Sequence, residues 1–329
     1  MKRFSLFTLF FLIGLMTSIY VSEAASAQGT QTDSMGEQIA FIRNGDVWLM
    51  NPDGSNQRPF VVGIANATGR LSWAPDNKRL AFSRQGKVEI KYPEGGGGYH
   101  FLYDLFYAFT DSLPQRKNFW MGVTNTLGSK SPDWSDDGKT ISFTYDRMGN
   151  IVDATLPEYS IGFFDTDMET FRHMELPRTD RQLFPLMPAI SPDGSKVCFV
   201  LGELKKTGMQ KLGMIVLPLE GEMPTGDVLI ETAENNPGGS SPDWSSDGTK
   251  ILFLKDDGVY VANADLSGER MICQPEEGLW VSGMPSWSPD GSKVAFGTSN
   301  GSIYTVNLDG TGMKRISGPG NDSNPAWTK

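Results

Sequence analysis

Side chains that could do chemistry are few. His100 and His173 are the only histidines and Cys198 and Cys273 the only cysteines in 329 residues. Two histidines cannot build a three-histidine metal centre. His173 falls in an expected outer strand, Phe171 to Leu176, and reads as structural. Cys198 lies inside the apolar run Lys196-Val197-Cys198-Phe199 and reads as a small buried hydrophobe; Cys273 belongs to another repeat, so the two are not expected to pair. A serine-hydrolase reading finds neither an α/β-hydrolase segment nor a Gly-x-Ser-x-Gly elbow to support it. Asp133 and Asp243, each directly before a tryptophan, could face an axial channel and hold a cation with Asn side chains or backbone carbonyls. Calcium gathers more oxygens than two carboxylates bring, so hydrated channel-lining aspartates are the simpler expectation. Gly95-Gly96-Gly97-Gly98 lacks the Lys-Ser/Thr and strand-to-helix context of a phosphate loop and reads as a hairpin tip. Asn66-Ala67-Thr68 would be a glycosylation acceptor only in a eukaryote. No catalytic residue, metal or cofactor is expected.

What remains is a basic group within an acidic chain. Arg147, Arg178, Arg181, Lys205, Lys206 and Lys211, with Tyr99, His100 and Tyr103, stand out against a net charge of -10. Basic and aromatic side chains together suit contacts with protein or glycan; the plainer alternative is solvated decoration. The overall acidity disfavours nucleic acid, and two cysteines cannot make a disulfide framework. With 39% hydrophobic residues, the chain can bury a sizeable core.

The chain opens as an exported protein does. Lys2 and Arg3 precede an apolar stretch from Phe4 to about Val21, followed by small residues ending in Ala25-Ser26-Ala27. This layout predicts a signal peptide over 1–27 cleaved before Gln28, rather than an uncleaved anchor. A short linker, 28–35, then leads into one domain, 36–329. The expected address is extracytoplasmic, periplasmic or secreted, with no membrane span after cleavage.

Self-similarity shows what must position these residues. LSWAPDNKRLAFS, SPDWSDDGKTISFT, MPAISPDGSKVCFV, SPDWSSDGTKILFL and MPSWSPDGSKVAFG recur along the chain, and a sixth copy is split between GEQIAFIRNGDVWLMNPDGSN and the final NPAWTK. Trp73, Trp134, Trp244, Trp287 and Trp327 occupy one repeat position, which Ile190 takes in the fourth copy. Each large residue runs into a reversal such as Asp193-Gly194 or Asp290-Gly291, where Pro presets φ and Gly accepts a positive one. Short β-forming runs follow, the fourth being the most polar, as an outer edge should be. Six units of four antiparallel strands predict an all-β, six-bladed propeller, closed by the strand at Trp327 pairing with the strand at Ile39 to Phe41. No long segment after the leader shows helical periodicity.

At these residues the chain resembles the TolB-like propellers, whose WD-like repeats carry a Pro-x-Trp-Ser-Pro-Asp-Gly…Ile-Ala-Phe pattern. The resemblance covers essentially the whole chain after the leader and implies the propeller and an envelope location. TolB proper carries an additional N-terminal α/β domain, which has no counterpart in the roughly ten residues before the first strand.

Repeat lengths are unequal, which locates the expected binding sector. The link between second and third strands swells in blade two (about 85–103), blade three (about 148–159) and blade four (about 203–211). All three belong to one face, with the basic and aromatic residues named above. Loops on a rigid ring commonly carry binding. The expected function is an exported, non-catalytic scaffold that binds an envelope or extracellular protein. The alternative is a carbohydrate-active propeller of lactonase or uronate-oligomer lyase type, or a glycan-binding module, using the channel mouth.

Overall fold

Two side chains per repeat drive each sheet inside. Phe41, Phe82, Phe143, Phe199, Phe253 and Phe296 recur on the second strands and are at most 1% exposed. Burying each is worth about 2–3 kcal/mol. The repeated large residues end the first strands, with Trp134 wholly buried and Trp73 nearly so. The structure is a computed structural model that describes residues 36–63, 66–91, 97–110, 115–116, 130–146, 159–236 and 238–329.

These residues form a six-bladed propeller. Blade one contains β1 (Ile39–Arg43), β2 (Asp46–Met50) and β3 (Arg58–Val61). Blade two is β4 (Ala67–Trp73), β5 (Arg79–Lys91), β6 (Gly97–Phe109) and β7 (Gln115–Arg116), and blade three is β8 (Lys130–Trp134), β9 (Thr140–Asp146), β10 (Tyr159–Asp165) and β11 (Thr170–Met174). Blade four has β12 (Gln182–Ile190), β13 (Lys196–Lys205) and β14 (Gly208–Pro218), followed by α1 (Gly226–Asn235). Blade five is β15 (Ser240–Trp244), β16 (Lys250–Lys255), β17 (Gly258–Asn263) and β18 (Arg270–Cys273), and blade six is β19 (Val281–Trp287), β20 (Lys293–Thr298), β21 (Ile303–Asn307) and β22 (Lys314–Arg315). The last strand, β23 (Asp322–Trp327), is the inner strand of blade one and pairs with β1 from Ile39↔Trp327 to Arg43↔Asp322. The bidentate Arg43–Asp322 pair, at 2.7 Å on both arms, fastens this closure.

The serine of the Trp-Ser-x-Asp-Gly turn explains its recurrence. Ser135, Ser191, Ser245 and Ser288 each donate to the aspartate two residues on, and each accepts the backbone N–H five residues on. Blade two has Ala74 instead, and Asn77 takes the glycine position at φ 53°, a left-handed conformation open to Asn.

Every inner strand also carries a β-bulge. Its left-handed residue is Gly69, Ser131, Met187, Ser241, Gly283 or Asn324, and the register shifts there in all six blades. Such bulges bend a strand, and these touch one another: Ser241 Oγ donates to Gly283 O at 3.1 Å, and Met284 N–H to Asn324 Oδ1 at 3.0 Å.

Two expectations need correction. Blade four has three strands, because the chain after β14 forms α1 with Leu229, Ile230 and Ala233 buried at helical spacing. In blades two and four the swollen links are longer strands. β5 and β6 pair without interruption from Arg79↔Phe109 to Lys91↔Gly97, and β13 and β14 pair out to Lys205↔Gly208. The blade-three link lies outside the described residues.

Candidate functional site

The residue preceding each repeated large side chain points to the ring axis and joins its blade to the next. Ser72 Oγ accepts the Trp134 N–H, Asp133 Oδ2 the Ile190 N–H, Asp243 Oδ2 the Trp287 N–H and Ser286 Oγ the Trp327 N–H, at 2.9–3.2 Å. Ala189 and Ala326 lack such an acceptor. There the next blade's indole donates to their main-chain carbonyls, Trp244 to Ala189 O at 2.9 Å and Trp73 to Ala326 O at 3.2 Å. All six joints are thereby bonded, and the fifth-to-sixth joint twice, since Trp287 Nε1 also donates to Asp243 O.

Asp133 and Asp243 both line the axial cavity. Arg70, 3% exposed, reaches across from β4. Its Nη1 lies 2.6 Å from Asp243 Oδ1 and 3.6 Å from Asp133 Oδ1, and its Nη2 donates to Pro242 O. Ser72 Oγ donates to Asp133 Oδ1 at 3.0 Å. The cluster holds two carboxylates and one guanidinium. Burial pushes the Asp243 carboxyl up to about 6, against the lowering pull of Arg70 and with the help of Asp133. The buried Arg70 Nε and the Trp134 and Trp327 indole N–H groups have no acceptor among the described residues.

Above the cluster lies a cavity of about 80 Å³ lined by Trp73, Trp244, Trp287, Trp327 and the repeated turns. Lys329 spans part of its rim: its Nζ meets Asp136 at 2.6 Å and Trp134 O at 2.7 Å, while its backbone bonds Asn77. Among the described residues, no three His, Cys, Asp or Glu side chains converge as metal ligands. The spacing Gly-x-Ser-x-Gly does occur, at Gly297 to Gly301, but in a turn between β20 and β21 where Ser299 bonds the Trp280 backbone. No helix follows, as a nucleophile elbow would need.

The expected binding residues are distributed unevenly. Tyr99, His100 and Tyr103 lie in β6, in register with Glu89, Val88 and Gln85; Arg147 lies outside the described residues. Lys205, Lys206 and Lys211 are exposed on the β13–β14 hairpin, and Arg178 is exposed before β12. Arg181 is committed internally: it binds both oxygens of Glu203 at 2.7–2.9 Å and Glu234 at 3.1 Å, while Lys205 also meets Glu203 at 3.3 Å. The Arg181 hydrogen bonds hold the Glu203 carboxyl below its ordinary range. His173 lies exposed in β11, 3.2 Å from Glu175. Both cysteines are free; burial raises the Cys198 thiol and pushes Cys273 up to about 12, so neither is poised as a nucleophile.

No family model and no curated protein matches the sequence. Solved structures share the fold. A putative TolB from Agrobacterium tumefaciens aligns over 87% of this chain and 90% of its own, at 16% identity and a TM-score of 0.50. A chain of a nidogen/laminin complex aligns over 89% and 99%, at 8% identity and a TM-score of 0.55. The chain therefore has a six-bladed propeller like that of the putative TolB, with the likeness residing in the fold.

Proposed function

We propose that the chain is an exported, non-catalytic scaffold that binds another protein of the cell envelope through the face carrying the second-to-third-strand hairpins. The observation that carries this reading is the long β5–β6 hairpin. Each of its strands runs thirteen residues, against six in β16 and β17. At about 3.3 Å per residue, this makes an arm about 20 Å longer than its counterpart in blade five. The β13–β14 hairpin adds Lys205, Lys206 and Lys211 to the same face, next to Arg178. An arm on a closed ring presents main chain and side chains to a partner without disturbing the core. The nidogen propeller, solved in a complex with laminin, supports protein binding as a use of this architecture, and the fold shared with a putative TolB supports the envelope. The leader over 1–27 supports export, and no helix among the described residues is long and apolar enough to cross a membrane.

The test is photo-crosslinking in cells from Tyr99 and Lys206, with exposed Asp309, in the turn between β21 and β22, as control. A discrete adduct from the first two sites and none from Asp309 is expected. Replacing 85–103, and with it Tyr99, by a two-residue turn should abolish the Lys206 adduct while the purified ring melts as before. A Lys206 adduct unaffected by that replacement would refute the hairpin assignment, and an intact leader on cytosolic protein would refute export.

A further inference from the structure

Blade four lacks a cover that the other five blades have, and they show what the cover is. The third-strand residue paired with the neighbour preceding each repeated phenylalanine is Leu49, Tyr107, Phe163, Val261 or Thr305. On its outer side it pairs with a fourth-strand residue: Arg58, Gln115, Arg172, Arg270 or Lys314, respectively. Four of these five partners are basic. Two reach the next blade's turn, Arg270 donating to Leu308 O at 3.1 Å and Lys314 to Asp53 O at 3.3 Å.

The equivalent residue in blade four is Val216, which pairs inward with Cys198 and has no fourth strand outside it. Its main chain faces away from β13. The Leu219 N–H bonds Ser195 O inward and the Met214 N–H bonds Asn236 O outward, so Val216 shares the outward parity of Met214. The helix covers β14 only as far as Met214. Beyond it, between blades four and five, runs a groove of about 620 Å³ whose lining includes Val216, Pro218, Ala264 and Leu266, with Lys196 and Asp265 as its charged residues. Ala264 and Asp265 correspond to Leu308 and Asp53, whose carbonyls accept the basic side chains elsewhere. From the flanking helix Thr232 and its cap Asn236 reach the groove, while Glu234 is held by Arg181.

Leu266 sets the length of what can fit. Its counterparts Gly54 and Gly310 are glycines because a Cβ there would stand 2.2 Å from Ile316 O and 2.6 Å from Ile272 O, carbonyls of the neighbouring fourth strand. Leu266 keeps the same left-handed turn, φ 67°, with its side chain buried where such a carbonyl would sit. A segment laid on β14 must therefore end or turn away within about two residues of the position opposite Val216.

We propose that this open edge docks a short extended segment of a partner protein, with a lysine or arginine opposite Val216, by strand addition. The site is separate from the hairpin face and does not depend on it. The probe is a labelled synthetic peptide of residues 310–318 of this chain, GTGMKRISG, which supplies a fourth strand in blade six. Saturable binding is expected, with the Val216 amide exchanging fast in the free protein and slowing when peptide is bound. A peptide with Lys314→Glu and Arg315→Glu should bind at least about tenfold more weakly. Val216→Pro, which removes the outward N–H, should lose about as much, and Leu266→Gly should bind more tightly. If Val216→Pro fails to fold, Thr232→Trp, which fills the groove, replaces it. No binding up to about 1 mM, equal binding by the edge variant, or a Val216 amide already protected without peptide would each overturn the proposal.

Discussion

Arg70 of blade two and Asp243 of blade five meet at 2.6 Å across the axis, joining blades three apart on the ring. The pair is a crossbar: neighbouring blades are joined by side-chain oxygens that accept main-chain N–H groups and by indoles that donate to main-chain carbonyls, and opposite blades by this contact. It also commits both channel aspartates to structural partners.

Removing the cation alone should be severe. Arg70→Met leaves buried Asp133 and part-buried Asp243 together without a counter-charge, and a loss of about 3 kcal/mol is expected in denaturant unfolding. Adding Asp133→Asn and Asp243→Asn to that variant should restore most of the loss. A triple variant as unstable as the single one would mean that Arg70 acts through packing.

Asp243 should impose a pH dependence of a definite sign. Its folded value, about 6, lies above the ordinary 3.8, so its contribution to stability is full below about pH 4 and is lost as pH rises through 6. Asp243→Asn should therefore be more stable than wild type near pH 8, by up to about 3 kcal/mol, and about equal to it near pH 4. Exposed Asp193 and Asp290, held near 2 by Ser191 and Ser288, act oppositely and only in stronger acid. Melting curves from pH 4 to 8 measure this; parallel curves for the two proteins would contradict it.

The joint between blades six and one should be weakened by Ser286→Ala. That change strips the acceptor from the Trp327 N–H, and about 1 kcal/mol is expected. Ala189 and Ala326 show that a joint tolerates alanine when an indole compensates, but the Trp327 indole is itself without an acceptor among the described residues. A null effect on the melting temperature would show that the pairing of β23 with β1 suffices.

Two glycines with similar backbone should respond differently. Gly291 has φ 68° and open space at its Cβ position, whereas Gly310 has φ 87° and a carbonyl 2.6 Å away. Gly291→Ala should cost about 1 kcal/mol, the strain of the left-handed turn, and Gly310→Ala at least about twice that. Equal losses in thermal unfolding would deny the close approach of neighbouring blades.

The repeat made much of this legible. Trp-Ser-Pro-Asp-Gly followed by an apolar run with phenylalanine encodes a turn, a core strand and a joint together, so ring size and closure could be read directly. Asn77 was readable as a stand-in for glycine on conformational grounds. Arg70 was harder to see, because it lies beside the bulge, where the copies diverge among Ser131, Met187, Ser241 and Asn324. A charged residue directly before Leu71-Ser72-Trp73, where the other copies carry uncharged ones, was the available signal. The helix was signalled by Gly226, Leu229, Ile230 and Ala233, a ten-residue pattern shorter than the span needed to stand out among strands. The extended hairpins were hidden because sequence length alone does not distinguish a loop from continued pairing.

Because β23 supplies the inner strand of the sheet begun by β1, the earliest blade to be synthesised is the last to be completed. A growing chain must carry β1 to β3 as an unfinished sheet until its final strand arrives. A chaperone or translocation partner that shields that provisional edge would set the rate at which whole molecules appear, and chains interrupted shortly before Asp322 would be ready to take the missing strand from a neighbour.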